Sequence, residues 1–194
     1  SRKPRITYIP SAFENSDEYY EEFITHFTSL GVKYFSVFHV DQPFTRKELR
    51  HALKSDAIYL SGGNTFYFLK HLRESGVIHS LNRYVKRGGI LMGESAGSII
   101  MTPTINTAAY PKWDRDDNDV DLTDLRSLNL VNFEFFPHYE NESRYQTELK
   151  YHSKLCRTPI YAVSDGSGIV VDDEKLTFIG DCYCFVKGHK FKLA

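Results

Sequence analysis

Between Arg5 and Gly97 the chain repeats one unit, a short β-branched or aromatic run followed by an amphipathic helical pattern, and this repetition limits the folds open to it. Arg5 to Ile9 forms the first run and ends at Pro10. Ser16 can cap a helix with Asp17 and Glu18 in its first turn. Tyr20, Phe23, Ile24, Phe27 and Leu30 make its apolar stripe, and Gly31 closes it. Tyr34 to Val40 reads as a second strand. Thr45 and Glu48 form a capping box for a helix reaching about Lys54. Ala57 to Leu60 is a third strand, followed by helical patterns over Phe66 to Glu74 and Val77 to Lys86, closed by Gly76 and Gly88. Gly89 to Gly93 is short and apolar, as suits a strand covered on both faces. Alternation of this kind selects right-handed βαβ units and an α/β doubly wound, mostly parallel sheet sandwiched by helices.

The pattern changes after Pro103. Residues 106–126 are polar and acid-rich and read as a long loop. Val131, Phe133 and Phe135 alternate as a strand arriving at Pro137-His138, and a polar helix covers Glu142 to Leu155. Five short runs then follow: Ile160 to Val163, Ile169 to Val171, Leu176 to Ile179, Tyr183 to Val186 and Lys190 to Leu193. Turn residues at Asp172-Asp173-Glu174 and Lys187-Gly188 join them into antiparallel hairpins at a sheet edge.

At 194 residues the whole chain, 1–194, is expected to be a single domain with a core large enough to need no staples. A formal net charge of -1 gives no pull toward nucleic acid or a membrane surface. No apolar run approaches the roughly 18 residues of a membrane span. No signal-peptide pattern is read, and a start at Ser1 rather than Met suggests that native residues have been lost. Cys156, Cys182 and Cys184 are an odd set. Cys182 and Cys184 would share one strand face, a poor geometry for a disulfide, so reduced thiols in the cytoplasm are expected.

Gly93-Glu94-Ser95-Ala96-Gly97 fits G-x-S-x-G, a turn that lifts a serine between a strand and a helix while small residues let the backbones approach. The required strand precedes it, and Ala96 to Met101 supplies the helix. The start of that helix places N–H groups where an oxyanion would form. A second strand-to-helix turn, Ser61-Gly62-Gly63-Asn64-Thr65, should reach the same end of the sheet, where an N–H beside the glycines can complete an oxyanion hole. Its blander reading is a tight turn in which Asn64 or Thr65 caps the next helix. Neither a G-x-G-x-x-G nor a P-loop lysine supports nucleotide binding.

A serine hydroxyl needs a base. Of eight histidines, His138 is best placed, because it ends an apolar strand and opens a polar segment. His26, His51 and His71 lie in helical patterns, His152 also reads as helical, and His39 and His189 lie in or beside strands.

Gly62-Gly63-Asn64-Thr65, Gly93-Glu94-Ser95-Ala96-Gly97-Ser98 and Phe136-Pro137-His138-Tyr139 together resemble the peptidase family of dipeptidase E (α-aspartyl dipeptidase) and cyanophycinase. The resemblance implies a class I glutamine-amidotransferase-like sandwich with serine in place of the elbow cysteine. It implies Ser95 as nucleophile, His138 as base and Gly63 as oxyanion donor, to which the elbow geometry adds the N–H of Ala96. Cytoplasmic, metal-independent peptidases are implied as well, the dipeptidases among them removing an N-terminal aspartate.

The family pattern places an acid between serine and histidine, after a segment that Pro103-Thr104-Ile105-Asn106-Thr107 matches. Ala108-Ala109-Tyr110 offers no carboxylate there. Asp114 is the first acid beyond the gap and Asp116 keeps the family separation from His138, with Asp117 also open and Glu94 a rival beside the nucleophile. Asp114, Asp116 and Asn118 have calcium-loop spacing, but Asp119 and Leu125 occupy the glycine and bidentate-glutamate positions, which argues against an EF-hand. Neither a metal nor a cofactor is expected.

The expected activity is hydrolysis of short peptides by a serine peptidase, with Asn64 and Arg144 as substrate-binding candidates, Arg144 as the cation for an aspartate side chain. A small peptide is the expected partner, and the sequence leaves a homodimer open. A cyanophycinase-like amide hydrolase and a non-catalytic amidotransferase-like binding domain are the alternatives.

Overall fold

The computed structural model describes residues 3–11 and 16–194, the side chains of Ser16 and Asp17 excepted. The cap expected at Ser16 and Asp17 falls outside them. The chain forms two compact units, Ser1–Ser98 with Asn118–Leu122, and Ile99–Asp117 with Thr123–Ala194.

In the first unit the strand–helix alternation is realised as β1 (Arg5–Ile9), α1 (Ser16–Ser29), β2 (Tyr34–Val37), α2 (Arg46–Ala52), β3 (Ala57–Leu60), α3 (Thr65–Glu74), α4 (Val77–Lys86) and β4 (Ile90–Gly93). The strands lie in the order β2-β1-β3-β4, every pair parallel. β2 stops short of the expected Val40. The Phe38 N–H still reaches Tyr8 O at 2.9 Å, but the next donor on β1 would be Pro10, which has none. Thr45 and Glu48 form the expected capping box on α2. The α1 stripe packs Phe23 against Tyr8 of the sheet, ring centroids 4.9 Å apart. Leu30, expected in that stripe, lies beyond the last helical residue and is exposed.

At the carboxyl ends of this sheet the Ser61 N–H bonds Ile9 O and the Glu94 N–H bonds Leu60 O, each at 3.1 Å. The turns leaving β1, β3 and β4 are thereby drawn together, in the position where open α/β sheets bind ligands.

The helix α5 (Ala96–Ile100) leads into the second unit, which contains β5 (Glu134–Phe136), α6 (Ser143–Leu155), β6 (Ile160–Val163), β7 (Gly168–Asp172), β8 (Lys175–Ile179), β9 (Cys182–Val186) and β10 (His189–Lys192). One sheet runs β10-β9-β6-β5, with β5 and β6 parallel and the other pairs antiparallel. β7 and β8 form a separate two-stranded hairpin rather than extending that edge. Val131 and Phe133, expected in β5, precede it, because the ladder to β6 starts only where the Glu134 N–H meets Pro159 O at 2.8 Å. The acid-rich loop carries a 3-10 turn at Asn106–Ala109 and one bridge between Thr104 and Arg126. Tyr110, Phe136, Tyr139, Tyr145, Leu149, Ile160 and Phe185 belong to the core of this unit. The architecture is α/β: a four-stranded parallel sheet with helices, joined to a largely antiparallel segment. All three cysteines are free thiols. Among the described residues no helix is long and apolar enough to cross a membrane.

Candidate active site

Ser95 sits between β4 and α5 with φ 46°. An L-residue pays about 1 kcal/mol or more to enter this left-handed region, a cost typical of functional turns. Close approach explains the flanking glycines. A Cβ on Gly97 would lie 2.1 Å from Leu60 O, and one on Gly93 would lie 2.6 Å from the Gly97 carbonyl carbon. Gly97→Ala is therefore expected to destabilise the protein by about 3 kcal/mol or more, since the atom it meets is backbone. Thermal unfolding of the purified variant measures this, and an unchanged midpoint would contradict the packing described.

Hydrogen bonds fix the elbow. The Gly97 N–H reaches Glu94 O at 2.8 Å and Ser61 O at 3.1 Å, Ser98 N–H reaches Ser95 O at 3.0 Å, and Ser98 Oγ donates to Gly93 O at 2.6 Å. Among the described residues no backbone carbonyl accepts from the N–H of Ala96 or Gly63. With five residues, α5 aligns few peptide dipoles, so an anion here would be met chiefly by individual N–H groups.

The Gly62–Gly63 turn is held as firmly. The Gly62 carbonyl accepts from Ser11 Oγ at 2.7 Å and from Ser61 Oγ at 2.9 Å, and both serines are buried. A planar trans peptide then aims the Gly63 N–H away from those hydroxyls. Gly63 has φ +130°, and a Cβ there would fall 2.0 Å from Ser11 Oγ. A Cβ on Gly62 would stand 3.5 Å from the Ser95 Cβ, so this turn lies beside the elbow. Asn64 caps α3, its side chain accepting from the Tyr67 N–H at 2.9 Å. The Glu94 carboxylate accepts from the Tyr59 hydroxyl at 2.8 Å, and burial first, that carboxylate second, pushes the Tyr59 hydroxyl pKa up.

In the second unit His138 follows β5 and also has positive φ, 54°. Its Nδ1 lies 2.7 Å from Asp165 Oδ1. Parallel pairing accounts for this meeting. Phe136 lies opposite Ala162, His138 stands two residues beyond the end of β5, and Asp165 two beyond the end of β6. The Tyr139 N–H to Val163 O at 3.1 Å and Ser164 Oγ to Tyr139 O at 2.7 Å lock the two strand ends together. Asp165 was not among the acids singled out from the sequence. An acid two residues past an apolar run, mirroring His138, is the signal that could have found it.

Asp114, Tyr139, Glu140, Asn141, Tyr145 and Ser164 line a cavity of about 500 Å³ together with His138 and Asp165. Asp114 thus shares the cavity with the imidazole, but its carboxylate accepts from the Tyr145 hydroxyl at 2.6 Å. Burial first, then Asp114, pushes that hydroxyl's pKa up to about 12. Asp116 is half-buried, its N–H bonded to Ala108 O at 3.0 Å, and Asp117 is exposed. Arg144 is drawn to Glu142 at 2.9 Å and Glu140 at 3.3 Å, and stacks over Trp113 and Tyr145. No group of three or more metal-ligating side chains occurs among the described residues.

Comparison with known proteins places the chain in a family. The chain is 34% identical over 122 residues to an uncharacterized peptidase of Pasteurella multocida, covering 62% of this chain and 58% of that protein. It is 31% identical over 144 residues to peptidase E of a Shewanella species, covering 68% of this chain and 57% of that protein. The match thus spans little more than half the length of these curated relatives. A crystal structure of a candidate peptidase E from Listeria monocytogenes superposes with a TM-score of 0.72 at 27% identity, over 90% of this chain and 85% of that one. A peptidase from an acI-B1 actinobacterium, at 15% identity and a TM-score of 0.67, shares the fold over 100% of this chain and 82% of its own. Residues 1–179 match the family description itself, and the chain belongs to peptidase family S51.

Proposed function

We propose that the chain is a serine peptidase acting on short peptides, with Ser95 as nucleophile, His138 as general base and Asp165 as the acid that orients the imidazole. The observation that carries this reading is the 2.7 Å bond from His138 Nδ1 to Asp165, which favours the tautomer with its proton on Nδ1 and its lone pair on Nε2. The strained backbone at Ser95 and the two uncommitted N–H groups beside it support the rest.

On this reading Ser95 Oγ attacks the scissile carbonyl carbon and its proton passes to His138 Nε2. The N–H groups of Gly63 and Ala96 bind the resulting oxyanion. Collapse breaks the C–N bond, and the proton on Nε2 goes to the departing amine. A water molecule, deprotonated by His138 Nε2, then attacks the acyl carbon, the ester bond to Ser95 Oγ breaks, and His138 delivers the proton to that oxygen. Asp114, engaged by Tyr145, takes a structural part in the cavity wall, and Asp116 and Asp117 take none in proton transfer. The two compact units work as one peptidase domain in this mechanism. An N-terminal aspartate preference follows from the family resemblance, and free thiols fit the reduced cytoplasm.

A fluorophosphonate probe tests the assignment. Labelling should map to Ser95 by peptide mass and disappear in His138→Ala. A folded protein that takes up no label would favour the non-catalytic binding domain.

A further inference from the structure

Glu134 is an ionisable side chain that the proposed chemistry does not use, and only 4% of its surface is exposed. It opens β5, the edge strand of its sheet, and His138 follows two residues after that strand ends. The Glu134 N–H is taken by Pro159 O, ahead of β6. Its carboxyl meets the segment that leaves α5: Oε1 lies 2.9 Å from Thr104 Oγ1 and Oε2 lies 3.2 Å from Thr102 Oγ1. Among the described residues these are the hydrogen bonds that join residues 102–104 to β5, and no cation pairs with the carboxyl.

Counting hydrogens favours one form of the acid. The Thr102 hydroxyl has a single hydrogen and two carbonyls closer than Glu134, Thr104 O at 2.7 Å and Ile99 O at 2.8 Å. With that hydrogen given to a carbonyl, Thr102 Oγ1 turns a lone pair toward Oε2. A carboxylate would oppose lone pair to lone pair there, whereas a carboxylic acid donates. The neutral chain uses every hydrogen: Glu134 Oε2–H to Thr102 Oγ1, Thr102 to a backbone carbonyl, and Thr104 Oγ1–H to Glu134 Oε1. Ionisation removes one hydrogen and leaves Thr102 to serve either the carboxylate or the backbone. Burial likewise pushes the Glu134 carboxyl above its ordinary pKa, against the pull of the threonine hydroxyls. The ionisable groups facing it are neutral, the Tyr110 hydroxyl and the Cys156 thiol, each pushed up chiefly by burial. Behind them His152, its ring 3.6 Å from that of Tyr110, is pushed down by burial against the pull of Glu148.

We infer that Glu134 is a positioning residue: as a neutral acid it ties the strand that presents His138 to the segment leaving α5, and the tie loosens when the carboxyl ionises. The inference rests on the reading of His138 as the base and adds to it a proton-dependent brace. The folded chain holds this proton more tightly than the unfolded one. The stabilisation is therefore complete below the unfolded pKa, near 4.5, and is lost as pH rises through the folded value.

Glu134→Gln tests it, since a carboxamide of the same shape supplies a permanent donor and acceptor in place of the acid's. Its melting temperature relative to the parent should rise by about 3 °C or more between about pH 5 and about pH 8. Its kcat on a short peptide, relative to the parent, should rise about threefold or more over the same interval, with KM changed less than about twofold. Thr104→Val withdraws one donor from the carboxyl and should lower the melting temperature more at the upper pH than at the lower, a difference that Glu134→Gln removes. A kcat ratio constant with pH, in a parent that takes up fluorophosphonate at Ser95, would overturn the inference and leave the Ser95–His138 reading standing. A melting difference without the kinetic one would mark Glu134 as merely structural and overturn it too. Should the Gln chain fail to fold, a Thr104→Val loss equal at both pH values overturns the inference. A parent that neither hydrolyses peptides nor takes up the label would overturn both readings.

Discussion

Ser95→Ala is expected to lower peptide hydrolysis by about 10⁴-fold or more while leaving the far-UV circular dichroism and the thermal midpoint unchanged. Removing the hydroxyl abolishes the covalent route, and what survives comes from oxyanion binding and substrate positioning alone. Alanine should not disturb the fold. Both residues pay the same toll for φ 46°, and the elbow is held by backbone hydrogen bonds and by Ser98 Oγ. Dipeptide cleavage followed by chromatography gives the rate. Residual activity above a few per cent of the parent, in a preparation free of contaminating peptidases, would remove Ser95 from the mechanism.

Asp165→Asn should cost about 10³- to 10⁴-fold in kcat. The asparagine amide would donate to Nδ1 and drive the imidazole proton to Nε2, the atom that must stay unprotonated to act as base. The pair is solvent-exposed, with relative side-chain exposures of 54% for His138 and 81% for Asp165, so charge attraction across it is screened and orientation of the ring is the larger effect. Asp114→Asn should by contrast change kcat by less than about tenfold, because its carboxylate serves Tyr145. Steady-state kinetics on one dipeptide separates the two. A larger loss at Asp114 than at Asp165 would reverse the assignment and restore the acid expected between serine and histidine.

These two acids differ in how much of their surroundings the sequence displays. The elbow was legible because its demands are local: an apolar strand, small residues on both sides of Ser95, and a helix directly after. The first-unit strands and helices were legible for the same reason, from period and caps, with errors only where a partner strand decides, as Pro10 does for β2. Asp165 depends on something the sequence does not display, the parallel register of β5 and β6 that brings the ends of two distant segments side by side. In sequence it sits in Ser164-Asp165-Gly166-Ser167-Gly168, which reads as a solvated turn. The family resemblance also drew attention to the acid-rich stretch before His138. Arg144 reads from the sequence as a lone cation on a helix, and the structure sets Glu140 and Glu142 beside it.

The backbone angle at Ser95 has a consequence for which nucleophiles this scaffold can carry. A left-handed φ crowds a side chain that branches at Cβ far more than one that does not. Threonine, although it offers the same hydroxyl, would force the elbow open, whereas cysteine would sit in it unchanged. The shape of the turn thus restricts the choice to serine and cysteine, and interchange between alcohol and thiol chemistry needs no rebuilding of the chain around it.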